Sequence, residues 1–95
     1  AGVRVILGSD APVAPLDPWI AMSAAVTRTR DGAAPWRPHE GIEVATALAC
    51  STRSGIAVGE PADLVAIDAP LEPERLRGMP VALTVVSGDV LHTAL

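Results

Sequence analysis

The stretch from Gly2 to Trp19, GVRVILGSDAPVAPLDPW, decides how the rest of the chain is read. Residues 3–7 are rich in β-branched side chains and broken only by Arg4, which suits a short strand buried on both faces of a parallel sheet. Such a strand belongs in the middle of a sheet rather than at its edge. The run stops at Gly8-Ser9-Asp10, and Pro12, Pro15 and Pro18 follow. Each proline fixes one backbone dihedral and restricts the residue before it, so the loop is stiff before the chain folds. Asp17-Pro18 then opens a helix, because an aspartate caps free N–H groups and proline is tolerated at the first helical position.

Asp10 therefore sits where a parallel strand hands over to its loop. In barrels and open α/β sheets the reacting groups lie at that carboxyl end. An aspartate in that place is also a common turn former or cap for nearby backbone N–H groups, and spacing alone favours this plainer role. A stiff loop beside a carboxylate suits a preorganised site, but it equally shapes an ordinary surface loop.

The totals set limits on both readings. Ninety-five residues suffice for one small domain, and a domain of that size buries only about 60 to 65% of its unfolded surface. The chain is 49% hydrophobic, yet it has no Phe or Tyr and two Trp. A core of Ala, Val, Leu and Ile fills little volume per residue, which suggests a part of a larger body. A net charge of -4 and a pI near 4.9 argue against nucleic acid or an anionic membrane as partner, since both select a basic face. No apolar run approaches the roughly 18 residues that span a bilayer. The opening residues show no basic leader before a cleavable apolar segment, which gives the expectation of a cytoplasmic protein.

Along the chain, the first helix is expected from Pro18 to about Arg28, with Arg28 and Arg30 favouring its negative pole and Gly32 just beyond. DGAAPWRPHEG, residues 31–41, is turn chemistry throughout, with Trp36 expected to anchor it by packing. A second helix fits residues 44–52, where Val44, Leu48 and the alanines form an apolar stripe before Gly55. Strands are expected at residues 62–68 and 81–86, and Ser87-Gly88-Asp89 makes a tight turn into a last strand. Residues 72–79 between them read as one helical turn on the surface.

Other chemistry is sparse. His39 and His92 are read as solvated surface residues, and no H-x-H, C-x-x-C or H-E-x-x-H spacing supplies a zinc site. Cys50 has no partner for an internal disulfide and reads as a small buried hydrophobe. Ser9 lacks the G-x-S-x-G elbow and is expected to bond local backbone. Asp63 and Asp68 bracket a strand, which suits turn and strand-end roles.

Taken together and in order, GVRVILGSDAPVAPLDPW, TALACST, GEPADLVAIDAPL and TVVSGDVLH resemble the carboxy-terminal end of the amidohydrolase superfamily, in its YtcJ-like or type 3 group. The most specific elements are GSDAPV…DPW and the G-x-x-x-G-x-x-ADLV set formed by Gly55, Gly59, Ala62, Asp63, Leu64 and Val65. This resemblance implies an α/β fold, the carboxy-terminal part of a (β/α)₈ metal-dependent hydrolase barrel plus strands of a flanking small β-sandwich. Residues 1–54 would supply the last barrel strand and its helices, and residues 55–95 the returning strands of the sandwich. The implied reaction is hydrolysis of carbon–nitrogen bonds other than peptides in a small amide-type substrate. Asp10 would match the family's aspartate after the last barrel strand, which contacts the metal and takes the proton of the attacking water.

The divalent metal, expected to be zinc, belongs by this resemblance to the full-length parent, and no tight binding to these residues alone is expected. The family's histidine pair, its carboxylate or carboxylated lysine and its later histidines lie upstream of the segment matched. The segment joining the second helix to Gly55 is also shorter than the family's. Two readings follow: a catalytically incomplete portion of a hydrolase, or a non-catalytic module derived from that family. Either would need its open strand edges covered, by the rest of the barrel or by self-association.

Overall fold

The structure is a computed structural model that describes residues 2–30 and 32–95. Asp31, the first residue of the expected turn, lies outside them. The fold is a small α/β arrangement in which two helices and two 3₁₀ turns precede and flank a three-stranded antiparallel sheet.

Helix α1 spans Pro18–Thr27. The Asp17 carboxylate accepts the Trp19 N–H at 2.9 Å and Pro18 occupies the first turn, which is the start expected from the Asp-Pro pair. The helix ends one residue before the expected limit, because Arg28 itself takes the left-handed conformation, φ 57°, and donates its N–H to the Ala24 carbonyl. Helix α2, Val44–Ala49, is shorter than the expected 44–52. The Ser51 and Thr52 hydroxyls donate to the Ala47 and Leu48 carbonyls, and these side-chain bonds close the last turn in place of further helix.

The sheet has the order β1 (Leu64–Ile67), β2 (Val81–Val86), β3 (Asp89–Thr93), with β2 in the centre. Leu64 faces Val85 across the first ladder and Val86 faces Asp89 across the second. Ser87 and Gly88 both adopt positive φ, 50° and 83°, the requirement of the two-residue I′ turn that joins twisted antiparallel strands. Register shifts interrupt each ladder once, between Ala66 and Ile67 and between Thr84 and Val85.

The buried apolar residues among those described are Met22 from α1, Ala47 from α2, and Leu76 and Met79 from the connection between β1 and β2. Trp19, Val26, Leu48 and Ile67 pack around them. The expected helical turn in that connection is present as a 3₁₀ turn, Pro73–Arg75, but its neighbours are not surface residues. Leu76 is fully buried and Met79 nearly so, because the turn folds down onto α1 and closes the core that the small side chains of both helices leave open.

Two other expectations are corrected. Residues 3–7 do not form a strand, and Val3, Val5 and Ile6 are 80%, 57% and 73% exposed rather than buried on both faces. A strand exists only as a paired object, and the sheet of this chain contains no neighbour for that segment. Its Leu7 N–H instead bonds the Cys50 carbonyl at 3.0 Å, which lays the segment beside the end of α2. Trp36 is 66% exposed and does not anchor its loop by burial. The Arg28 and Arg37 guanidiniums lie 5.1 and 5.4 Å from its ring centroid, so the indole is held by cations instead of by the core.

Candidate functional site

Asp10 follows the unpaired apolar segment at residues 3–9. It takes a left-handed backbone conformation, φ 54°, that aspartate tolerates better than most residues. Its carbonyl accepts the Val13 N–H at 2.9 Å across a turn that contains the cis Ala11-Pro12 peptide. The carbonyl does the local structural work that a turn aspartate is expected to do. The side chain is exposed, and no hydrogen bond or ion pair to it is formed among the described residues.

A cleft of about 270 Å³ opens beside this turn, lined by Leu7, Gly8, Ser9, Leu16, Asp17 and Ser51 among others. Asp10 is not among its lining residues. The Asp17 carboxylate is committed to the cap of α1 and the Ser51 hydroxyl to the Ala47 carbonyl. Neither is therefore poised as a base or nucleophile.

The remaining chemistry-bearing residues are dispersed. His39 and His92 are both exposed, as expected, and His92 Nε2 lies 3.0 Å from the Val81 carbonyl within the sheet. Cys50 is half-buried rather than buried. Asp63 and Asp68 do not form a carboxylate pair. Asp63 Oδ1 accepts the Ser87 N–H at 2.8 Å and Oδ2 faces Arg53 at 3.3 Å, while the Asp68 backbone closes onto the Pro80 carbonyl. The turn role expected for Asp63 is present, but the turn it caps is 24 residues away. No local spacing could have signalled that reach.

Among the described residues, no group of three or more His, Cys, Asp and Glu is placed to hold a metal ion. Nor is any helix long and apolar enough to cross a membrane. The geometry thus offers an exposed Asp10 carboxylate after an unpaired apolar segment, and a short sheet with its turn locked by Asp63.

A model of the amidohydrolase family matches residues 1–92. The chain belongs to that family. The match takes in the Asp10 turn, both helices and nearly all of the sheet. No curated protein and no solved structure matches the chain. The amidohydrolase family is generally metal-dependent. The donor set described above does not fit a complete centre, because a catalytic ion takes three protein ligands or more and Asp10 is one exposed carboxylate.

Proposed function

We propose that this chain is the carboxy-terminal portion of a metal-dependent hydrolase that cleaves carbon–nitrogen bonds other than peptides. In this reading residues 1–54 belong to the end of a (β/α)₈ barrel and residues 55–95 to the flanking β-sandwich. The observation that carries it is the family match over residues 1–92, and the apolar, exposed run directly before Asp10 supports it. Val3, Val5 and Ile6 have the composition of a doubly buried strand and present that surface to solvent here, as a strand does when its neighbours lie elsewhere.

Asp10 is the residue of this chain that takes part in the chemistry, as one carboxylate of the site and one metal contact. Its carboxylate orients the attacking water, accepts a proton from it and returns that proton to the leaving nitrogen. The residues present do not make the metal centre by themselves, so the other ligands, zinc or another divalent ion, and the walls that choose the substrate lie outside them. The substrate is a small molecule of amide type.

The test compares the 95-residue chain with a longer product of the same reading frame. The longer product is expected to contain an H-x-H pair upstream, to carry divalent metal, and to lose amide hydrolysis by about 10²-fold or more in Asp10→Asn, the scale of general-base catalysis. The 95-residue chain is expected to carry less than one metal per molecule and to show no turnover. Stoichiometric metal with turnover in the short chain would overturn the proposal, as would full activity of Asp10→Asn in the longer one.

A further inference from the structure

Residues 35–40 are exposed and gather charged side chains around Trp36. The backbone there is tied to the cap of α1 by Trp36 N–H to the Arg28 carbonyl at 2.8 Å, and to α1 itself by Ile42 N–H to the Ala25 carbonyl at 3.1 Å. Arg28 Nε donates in turn to the Trp36 carbonyl at 3.2 Å. At Gly41 the chain runs so close to α1 that an added Cβ would lie 2.6 Å from the Val26 carbonyl. None of Pro35, Trp36, Arg37, Pro38 and His39 is buried.

Two guanidiniums share the Trp36 ring, at 5.1 Å for Arg28 and 5.4 Å for Arg37. Like charges that close to one indole repel each other. The Glu40 carboxylate offsets that repulsion by meeting both, Oε1 with Arg37 at 2.9 Å and Oε2 with Arg28 at 3.6 Å. The short 3₁₀ turn Pro38–Glu40 brings the carboxylate back into position, and its backbone is fixed at Pro38.

We propose that Arg28, Trp36, Arg37 and Glu40 form a salt-labile latch that lets residues 35–41 open as a local unit while the Met22–Ala47–Leu76 core stays closed. Glu40 is its centre, because among the described residues it is the one carboxylate paired with both cations on the ring. An ordinary exposed ion pair contributes little on its own, but here one carboxylate supports two pairs and two ring contacts together. At 1 M salt the screening length falls to about 3 Å, shorter than the Arg28–Glu40 contact, so salt weakens the latch without touching the apolar core.

Residue-resolved hydrogen–deuterium exchange on the 95-residue chain tests this. In Glu40→Gln the Trp36 amide is expected to exchange roughly tenfold faster, the effect of losing about 1.4 kcal/mol of local closure. The Ala47 and Asp68 amides, bonded to the Glu43 and Pro80 carbonyls, are expected to keep their rates. One molar salt should speed Trp36 exchange in the parent chain and have little further effect in Glu40→Gln, and Arg37→Gln should shift Trp36 in the same direction. If Trp36 does not change, or if Ala47 and Asp68 accelerate by the same factor, the loop is not a separate latch and the proposal fails.

Discussion

Residues 3–7 and residues 81–86 are similarly apolar and β-branched, yet only the second set forms a strand. Val81–Val86 lies between two antiparallel neighbours, and five of its six residues are half-buried. Residues 3–7 have no strand beside them among the described residues, and Val3 and Ile6 stand more than 70% exposed. Composition supplies the tendency, and the neighbour supplies the hydrogen bonds and the burial that turn it into structure. The sheet itself is only partly covered. Val90 and Leu91 of β3 remain 59% and 67% exposed, so β3 as well as residues 3–7 presents apolar surface to water.

The strongest way to break the comparison is to remove the residue that joins the two regions. Leu76 lies in the connection between β1 and β2 but is buried against the helical side, with Met22, Ala47 and Met79 in the same cluster. Leu76→Ala is expected to cost about 2 to 5 kcal/mol, the range for deleting a fully buried leucine side chain. Urea unfolding should show the midpoint falling with one transition retained. A negligible change would mean that sheet and helices do not depend on a shared core.

A smaller effect is expected at Asp63, which ties the entry to β1 to the β2–β3 turn. Its two oxygens do different work. Oδ1 accepts the Ser87 N–H at 2.8 Å, and Oδ2 meets an Arg53 side chain that is 85% exposed and so contributes little. Asp63→Ala should therefore cost about 1 kcal/mol through the lost acceptor, and Asp63→Asn, which keeps an acceptor oxygen, should restore most of it. Faster exchange of the Ser87 amide in the alanine variant, recovered in the asparagine variant, separates this cap from the ion pair. Equal losses in both would assign the stability to the charge.

The parts of the fold that were legible in the sequence are those whose cause is local. Asp17-Pro18 starts α1 because cap and first turn are adjacent residues, and Ser87-Gly88 turns the hairpin because both supply the positive φ it needs. The parts that were not legible depend on distant partners. Leu76 and Met79 read as surface residues beside a short helical turn, since nothing in EPERLRGM reveals that this turn lands on α1. Trp36 read as a packed anchor because a large apolar ring normally gains by burial, and the competing cations come from Arg28 eight residues before it as well as from its neighbour. For the candidate site, sequence places Asp10 at the end of an apolar run, and the structure adds that its backbone turns there with φ 54° and its side chain is exposed. The expected strand failed because pairing is a property of two segments, and among the described residues none pairs with residues 3–7.

The finest test returns to that segment with the smallest change. Val5 is 57% exposed, so Val5→Thr in the 95-residue chain is expected to alter stability by no more than about 0.5 kcal/mol, the usual scale for surface substitutions. Valine and threonine have nearly the same shape and both favour strands, so β-propensity is not what changes. What changes is a hydroxyl in place of a methyl, which is harmless in water and costly where it is buried without a hydrogen-bond partner. In a longer product of the reading frame the same substitution should therefore cost about 1 to 3 kcal/mol, measured by the shift in urea midpoint at constant slope. The contrast between the two contexts is the quantity that matters. A large cost in the short chain would mean that residues 3–7 already have a partner there. A negligible cost in both would mean that the segment is a surface strand-former with no neighbour in either, and Asp10 would then be a turn residue alone.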